Sequence, residues 1–377
     1  MESPDYSLKL KNNSSKGRDI YEFDSADGVE PKKSFRDSKI LIADEVKIND
    51  SSLLVVEANY GFLGAVLGDK NSGKTTVVES SDRAFQLCRI NLEKNNVEAS
   101  TRKTAFYSEL GREFEKAVYS PKSYEPVDLV KSRISDIINI LETGGELYIA
   151  GGKKDGINRY KKQLKKTNGD LEKIAQRGSQ KLYRYTKTSE IELKKPKIET
   201  EFSAEVMDSR LEFKACKGLF SPHSLDNGSR LLIENVELKE SEDILDLACG
   251  YGAVGLFLEK IFDCNVSFTD DNALATHYTQ RNIEKNGSNA SRIENKDCLD
   301  GFKNQKFDAI ISNPPTHQGS KITDEMFKKS YQQLRPEGKL FIVYNQNMGF
   351  ENQLSNLFKK VEIVAEKNNF KVAKAQK

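Results

Sequence analysis

Residues 244–258 read ILDLACGYGAVGLFL, and residues 53–67 read LLVVEANYGFLGAVL. Each is a short apolar run, a turn holding Tyr-Gly, and then an apolar stretch at helical spacing, the order strand–turn–helix. At a constant offset of 191, Tyr60 pairs with Tyr251, Gly61 with Gly252 and Gly64 with Gly255. The same offset lays Asn91, Glu93, Lys94 and Asn95 on Asn282, Glu284, Lys285 and Asn286, so that eleven positions of 53–99 are identical without a gap. With two more residues of offset, LETGGELYIAGGKKDG from Leu141 lies on LRPEGKLFIVYNQNMG from Leu334. Matches that keep their order over residues 53–156 mean that the chain is one fold written twice.

Working outward, strands and helices alternate along each copy. In the second, DILDLA, NVSFTD, FDAIIS and KLFIVYN have strand composition. VGLFLEKIF, NALATHYTQRNIEKNG and DEMFKKSYQQL have helical spacing, the second ending at Gly287 and the third at Arg335-Pro336. The alternation predicts an α/β fold, a mostly parallel sheet with helices on both faces and ligands at the carboxyl ends of its strands. The expected organisation is a polar, mobile tail over 1–20 and two tandem Rossmann-like domains over 21–187 and 188–377. The charged, proline-bearing KTSEIELKKPKIET marks the passage between them.

Composition narrows the class. The 377 residues suit two ordinary domains, and a net charge of +2 provides no global attraction for nucleic acid. The five cysteines lie apart with no CxxC pair, which argues for reduced thiols and against a zinc site or disulfide framework; no metal is expected. No apolar run approaches a membrane span, and MESPDYSLKLKNNSSKG lacks the apolar core of a secretory signal. A soluble, cytoplasmic monomer is expected.

The chemistry concentrates in the second copy. Asp246-Leu-Ala-Cys-Gly250-Tyr-Gly252 follows a strand and opens a helix, where glycines permit a tight turn and close approach of a ligand. Counted from Gly250, Gly255 completes a dinucleotide-type GxGxxG, so spacing alone leaves a dehydrogenase open. Asp246 points elsewhere: an acid there can accept a hydrogen bond from a cationic amino group, which S-adenosylmethionine carries and dinucleotides do not. Asp270, ending NVSFTD, is placed to take ribose hydroxyls, and Asp297 in NKDCLD lies where an acid or its backbone could hold the adenine amino group.

FDAIISNPPTH, residues 307–317, decides between these readings. Pro314 and Pro315 each give up a donor and fix φ, so the corner after the strand is stiff. The Asn313 amide oxygen and the Pro314 carbonyl are then two acceptors at one point, able to meet the two donors of an exocyclic –NH2. Held so, the nitrogen lone pair can face a sulfonium methyl, which is catalysis by positioning. Alone, such a corner could be a strand-ending turn. After the DxxCGxG turn and in the correct strand order, it reads as an amine-methylating site.

The D-x-x-C-G-x-G turn, Asp270 and N-P-P-x-H resemble class I methyltransferases of the small-domain type. GLFSPHSLDNGSRLLIENV, residues 218–236, and the terminal NNFKVAKA are similar to segments of RsmC/RlmG-type ribosomal RNA guanine-N2 methyltransferases. Those enzymes are tandem duplications with a degenerate first copy, and the resemblance covers nearly the whole chain after residue 20. It implies S-adenosylmethionine as cofactor and a guanine amino group of ribosomal RNA, free or in an assembling subunit, as substrate. It places Asp246, Gly250 and Gly252 at the amino-acid end of the cofactor, Asp270 at the ribose, Asp297 on the adenine side, and Asn313 with Pro314 at the target amine. Where the family usually has an aromatic residue after the prolines, this chain has Thr316. Base stacking then falls to another ring, Phe220 or Tyr344, or is weaker. His317 is either a contact to base or phosphate or a surface histidine. Adenine N6 and a protein glutamine amide remain alternative acceptors, and a non-catalytic RNA-binding assembly factor is the alternative outside enzymes.

The first copy has Val55 for Asp246, Asn59 for Gly250 and Ser120-Pro121-Lys122 for the Asn-Pro-Pro corner, while Glu79 matches Asp270. It is expected to keep the fold without catalysis. It also holds a literal GxxxxGK[ST], Gly68 to Thr75, but the repeat puts this loop between a helix and a strand, the reverse of a phosphate-binding loop. Residues 153–187 carry twelve Lys/Arg against three Asp/Glu, with Tyr160, Tyr183 and Tyr185 interleaved. The run is either a solvated face or an RNA-binding one.

Overall fold

The computed structural model describes residues 5–11, 17–29, 31–111, 114–190, 192–315 and 320–377. Contacts divide the chain into units Met1–Ile198 and Glu199–Lys377. Residues 192–198 stay with the first unit: Leu193 and Asn139 exchange two hydrogen bonds, 2.7 and 3.1 Å, and Lys195 pairs with Asp136. The passage between domains therefore lies later than residue 187.

The first unit opens with the hairpin β1 (Tyr6–Lys11) and β2 (Ile20–Ser25). There follow α1 (Asp37–Glu45), β3 (Leu53–Val56), α2 (Phe62–Gly68), β4 (Thr75–Glu79), α3 (Asp82–Lys94) and β5 (Ser100–Lys103). Then come β6 (Phe114–Tyr119), α4 (Val127–Ile140), β7 (Leu141–Gly151), α5 (Ile157–Leu164), β8 (Gly169–Arg177) and β9 (Gln180–Lys187). The expected polar tail is thus partly a strand. YSLKLK alternates, and its Leu8 and Leu10 pack against the first unit's core, which ties the segment down.

The second unit repeats this plan. It runs β10 (Glu199–Val206), β11 (Ser209–Cys216), α6 (Asn227–Asn235), β12 (Asp243–Leu247), α7 (Ala253–Phe262), β13 (Asn265–Asp270) and α8 (Ala273–Asn286). After these come β14 (Arg292–Asn295), β15 (Phe307–Ser312), α9 (Ser320–Gln333), β16 (Leu334–Asn345), α10 (Glu351–Ser355), β17 (Lys360–Lys367) and β18 (Phe370–Gln376). The two large sheets have matching orders, β5-β4-β3-β6-β7-β9-β8 and β14-β13-β12-β15-β16-β18-β17, parallel except for β9 and β18, each antiparallel to both of its neighbours. This is the α/β duplication that the sequence predicts.

Several of the residues identical in the two copies turn out to be structural. In the second unit the Asn282 side chain donates to Lys214 O and Tyr251 O and accepts from Lys214 N, while Asn286 exchanges two bonds with Glu212. In the first, Asn91 does the same with Asp24 and Tyr60, and Asn95 with Glu22. Each pair fastens the leading hairpin to a helix by satisfying backbone groups that have no strand partner there. Gly255 is structural as well. A Cβ on it would lie 2.4 Å from the Phe268 ring, so this third glycine lets α7 close on β13 and does not face a ligand.

Candidate functional site

β12 and β15 are central neighbours, paired Asp246↔Ile311 and Leu247↔Ser312. Their carboxyl ends, and those of β13 and β14, bring Asp246, Gly250, Gly252, Asp270, Asp297 and Asn313 to one edge of the sheet. The order of strands reverses between β12 and β15, which is where open α/β sheets bind ligands.

The turn after β12 is left-handed at Ala248 (φ 60°), Gly250 (φ 59°) and Gly252 (φ 84°). At Gly252 a side chain would also press on Thr279, whereas at Gly250 a Cβ would meet nothing within 4 Å, leaving open space above the backbone. Asp270 holds this turn. Its carboxylate accepts from Gly250 N at 2.9 Å and from Asn272 N at 2.8 Å. Burial raises its pKa to about 6 despite those two amides. Asp246, only 2% exposed, accepts from Gly255 N at 2.8 Å through Oδ2. Burial, reinforced by the Asp270 charge and only partly offset by that amide, raises its pKa to about 7. Asp297 is buried in the loop after β14, with Cys298 Sγ 3.4 Å from its Oδ1.

The corner after β15 is fastened at its base, where Ser312 Oγ donates to Leu247 O at 2.7 Å. The Asn313 amide nitrogen donates to Ser229 Oγ at 3.0 Å and lies 3.4 Å from Asp226 Oδ2. Asp226 caps α6, accepting from Ser229 N at 3.0 Å. Both partners were missed as site residues in the sequence, although the signal of a helix cap, Asp at the head of NGSRLLIEN, was present. Pro314 is buried and Pro315 half-buried; Thr316 and His317 lie outside the described residues. Of the two rings considered for stacking, Phe220 is 65% exposed, whereas Tyr344 is buried and packs on Phe350 with ring centroids 5.1 Å apart. The sequence expectation for Tyr344 is corrected: it faces the core.

The first unit keeps the frame and fills the space. Asn59, at φ 61°, donates its amide to Glu79 Oε2 at 2.6 Å. Ser120 Oγ lies 2.7 Å from Ser38 Oγ, the counterpart of Asn313 and Ser229. Arg36, however, donates to Ser120 O (3.2 Å) and Pro121 O (2.8 Å), the carbonyls that correspond to those of Asn313 and Pro314. Glu57, in the place of Ala248, is buried, pairs with Arg133 at 3.1 Å and accepts from Tyr107 at 2.8 Å. Burial pushes the Glu57 carboxyl up, but Arg133 and Lys122 outweigh it and hold the pKa low. Arg133 also pairs with Glu125.

Two further sequence features are settled by geometry. The Gly68–Thr75 loop does join α2 to β4, and its amides are consumed internally. Those of Asp69, Lys70, Asn71 and Ser72 bond to Ala65, Leu67, Gly68 and Asn49 carbonyls, and that of Gly73 to the Asn71 side chain. No cradle of N–H groups is left there for a phosphate. In the basic run, the interleaved Tyr160, Tyr183 and Tyr185 are buried in the first unit's core. Lys162, Lys165 and Lys166 are exposed.

Comparison with known proteins shows the same duplication. The family model described as methyltransferase small domain matches twice, over residues 22–184 and 210–374. The ribosomal RNA large subunit methyltransferase G of Aeromonas salmonicida is 34% identical over 167 residues, 42% of this chain and 44% of that protein. The ribosomal RNA small subunit methyltransferase C of Pseudoalteromonas atlantica is 29% identical over 251 residues, 63% of this chain and 71% of that one. The chain thus spans less than half the length of the first of these relatives. Among solved structures, the T. thermophilus 16S rRNA N2 methyltransferase (RsmC), in complex with AdoMet and guanosine, shares the fold with a TM-score of 0.82 at 22% identity, covering 99% of this chain and 98% of that one. With two matches that together take in most of its length, the chain belongs to the methyltransferase small domain family, as a tandem duplication, and S-adenosylmethionine is the cofactor of that family.

Proposed function

We propose that the second unit transfers a methyl group from S-adenosylmethionine to the exocyclic N2 of a guanine in ribosomal RNA, and that the first unit serves as a non-catalytic RNA-gripping domain. The observation that carries this reading is the anchoring of Asn313: its amide nitrogen is spent on Ser229 and Asp226, which leaves Oδ1 as the acceptor turned to an incoming amine.

The residues at the sheet edge fit the cofactor. A buried carboxylate with a raised pKa gains most from a cationic partner, which suits Asp246 to the methionine ammonium, and the space above Gly250 admits the chain of the ligand. Asp270 would take the ribose and Asp297 the adenine side. Bound there, the cofactor supplies an electrophilic methyl group on a sulfonium. Asn313 and Pro314 hold the amine by its two N–H groups with the lone pair directed at that methyl, and the Asn313 oxygen stabilises the nitrogen as it becomes positive. The base reaches them unpaired or flipped. Phe220, exposed six residues before Asp226, is the ring available to stack on it, and His317 is a further contact to base or phosphate. RNA is gripped through phosphates by Lys162, Lys165 and Lys166. Among the described residues no helix is long and apolar enough to cross a membrane, and the proposed setting is a cytoplasmic monomer acting on ribosomal RNA or an assembling subunit.

The test is product analysis. Ribosomal RNA from a strain lacking the protein is incubated with the full chain and labelled S-adenosylmethionine and digested to nucleosides. Label in N2-methylguanosine supports the reading. Label in N6-methyladenosine, or none in RNA, overturns it.

A further inference from the structure

The orientation of the Asn313 amide is a chemical problem that the corner cannot solve alone. Rotating the side chain by half a turn exchanges oxygen for –NH2 at nearly the same positions, and an –NH2 turned to the substrate would face another donor. Ser229 Oγ, 3.0 Å away, does not choose between the two states, because a hydroxyl both donates and accepts. Asp226 does choose. Its carboxylate, already bonded to Ser229 N at 3.0 Å, accepts only, and 3.4 Å away it favours the Asn313 nitrogen over the oxygen.

The first unit provides an internal comparison. The serine is retained there, Ser38 beside Ser120, but at the offset of 191 the position of Asp226 is held by Phe35. The contact between serine and corner therefore survives without the amide, and the carboxylate occurs only in the copy that has the amide to orient.

We infer that Asp226 is a positioning residue for methyl transfer: it holds the Asn313 amide with its oxygen toward the substrate amine, and Ser229 completes the hold. This rests on the proposed role of Asn313. Asp226 is also a helix cap, so the informative substitution keeps the cap and removes the reach. Asp226→Ser does both, since a serine caps a helix well but is too short to meet Asn313.

The experiment measures methyl transfer by the full chain, with labelled S-adenosylmethionine and ribosomal RNA from a strain lacking the protein, for the wild type, Asp226→Ser, Asn313→Ala and the double variant. Asp226→Ser should lower kcat by about tenfold or more, because an amide no longer held in its productive orientation loses much of its effect on the transition state. KM for RNA, affinity for S-adenosylmethionine and Tm should stay near wild type. In the Asn313→Ala background the same substitution should have no further effect on kcat. Wild-type kcat in Asp226→Ser, with Asn313→Ala impaired, overturns this inference alone. A further loss in the double variant overturns it too, since Asp226 would then act independently of Asn313. Full activity in Asn313→Ala overturns both this inference and the catalytic reading beneath it.

Discussion

Asn59 and Gly250 occupy the same place in the two units: both are left-handed, φ 61° and 59°, and each donates its amide to the acid ending the next strand, Glu79 at 2.6 Å and Asp270 at 2.9 Å. Asn is one of the few residues besides Gly that tolerates this conformation. The turn has thus survived in the first unit. What separates the copies is open space at Gly250 and, in the first, the buried pair of Glu57 and Arg133 beside the turn.

Cofactor stoichiometry follows from that difference. Calorimetry of the full chain should find one S-adenosylmethionine, bound by the second unit. Asp246→Ala should abolish measurable binding, while Val55→Ala and Asn59→Gly should leave one site of unchanged affinity. Two equivalent sites would contradict the filled first unit.

Affinity for the cofactor should depend on pH near neutrality. The raised pKa of Asp246, about 7, means that the ligand-free carboxyl takes up a proton as pH falls through that value. A cationic ligand prefers the ionised form, so its binding lowers the pKa and is coupled to proton release. Binding should be strongest above about pH 7 and weaken below it, by at most about tenfold per pH unit. Titrations in buffers of differing ionisation enthalpy read the released proton directly. Flat affinity across this range would remove Asp246 from the ammonium site.

The charge network of the first unit should be costly to break in half. Arg133 pairs with both Glu57 and Glu125, so Arg133→Met removes the ion-pair partner of two carboxylates, at a cost of about 3–5 kcal/mol. Urea denaturation of the full chain should show the loss. A change below about 1 kcal/mol would mean that the network is hydrated and weak.

For the basic run, charge reversal at Lys162, Lys165 and Lys166 should weaken RNA binding and flatten its salt dependence by about one unit of slope per lost phosphate contact. Cofactor affinity should be unaffected. RNA affinity and slope unchanged from wild type would make the run a solvated face.

The parts of the site legible in the sequence were those confined to one turn. Asp246 to Gly252 and Asn313 to Pro315 each place their groups within a few residues, so the strand before them fixes their direction. Contacts between distant segments were not legible: Asp226 and Ser229 reach Asn313 across 87 and 84 residues. Nor was the facing of side chains in the closing strands. Tyr183 and Tyr185 sit among lysines in sequence but alternate inward along β9, and Tyr344 ends a stretch of β16 that is buried on both faces. The hairpins that open each unit were not legible either, because part of what fastens them is Asn91, Asn95, Asn282 and Asn286, on helices distant in sequence.

The central claim is that Asn313 acts on the reacting nitrogen, and the kinetics of Asn313→Ala test it most directly. The oxygen that stabilises developing positive charge is removed while the cofactor contacts remain. The account predicts that kcat for labelled methyl transfer to ribosomal RNA falls by about a hundredfold or more, as it does when one preorganised polar partner is lost, with affinity for S-adenosylmethionine unchanged. Wild-type kcat with the normal product would show that the corner after β15 is only a turn.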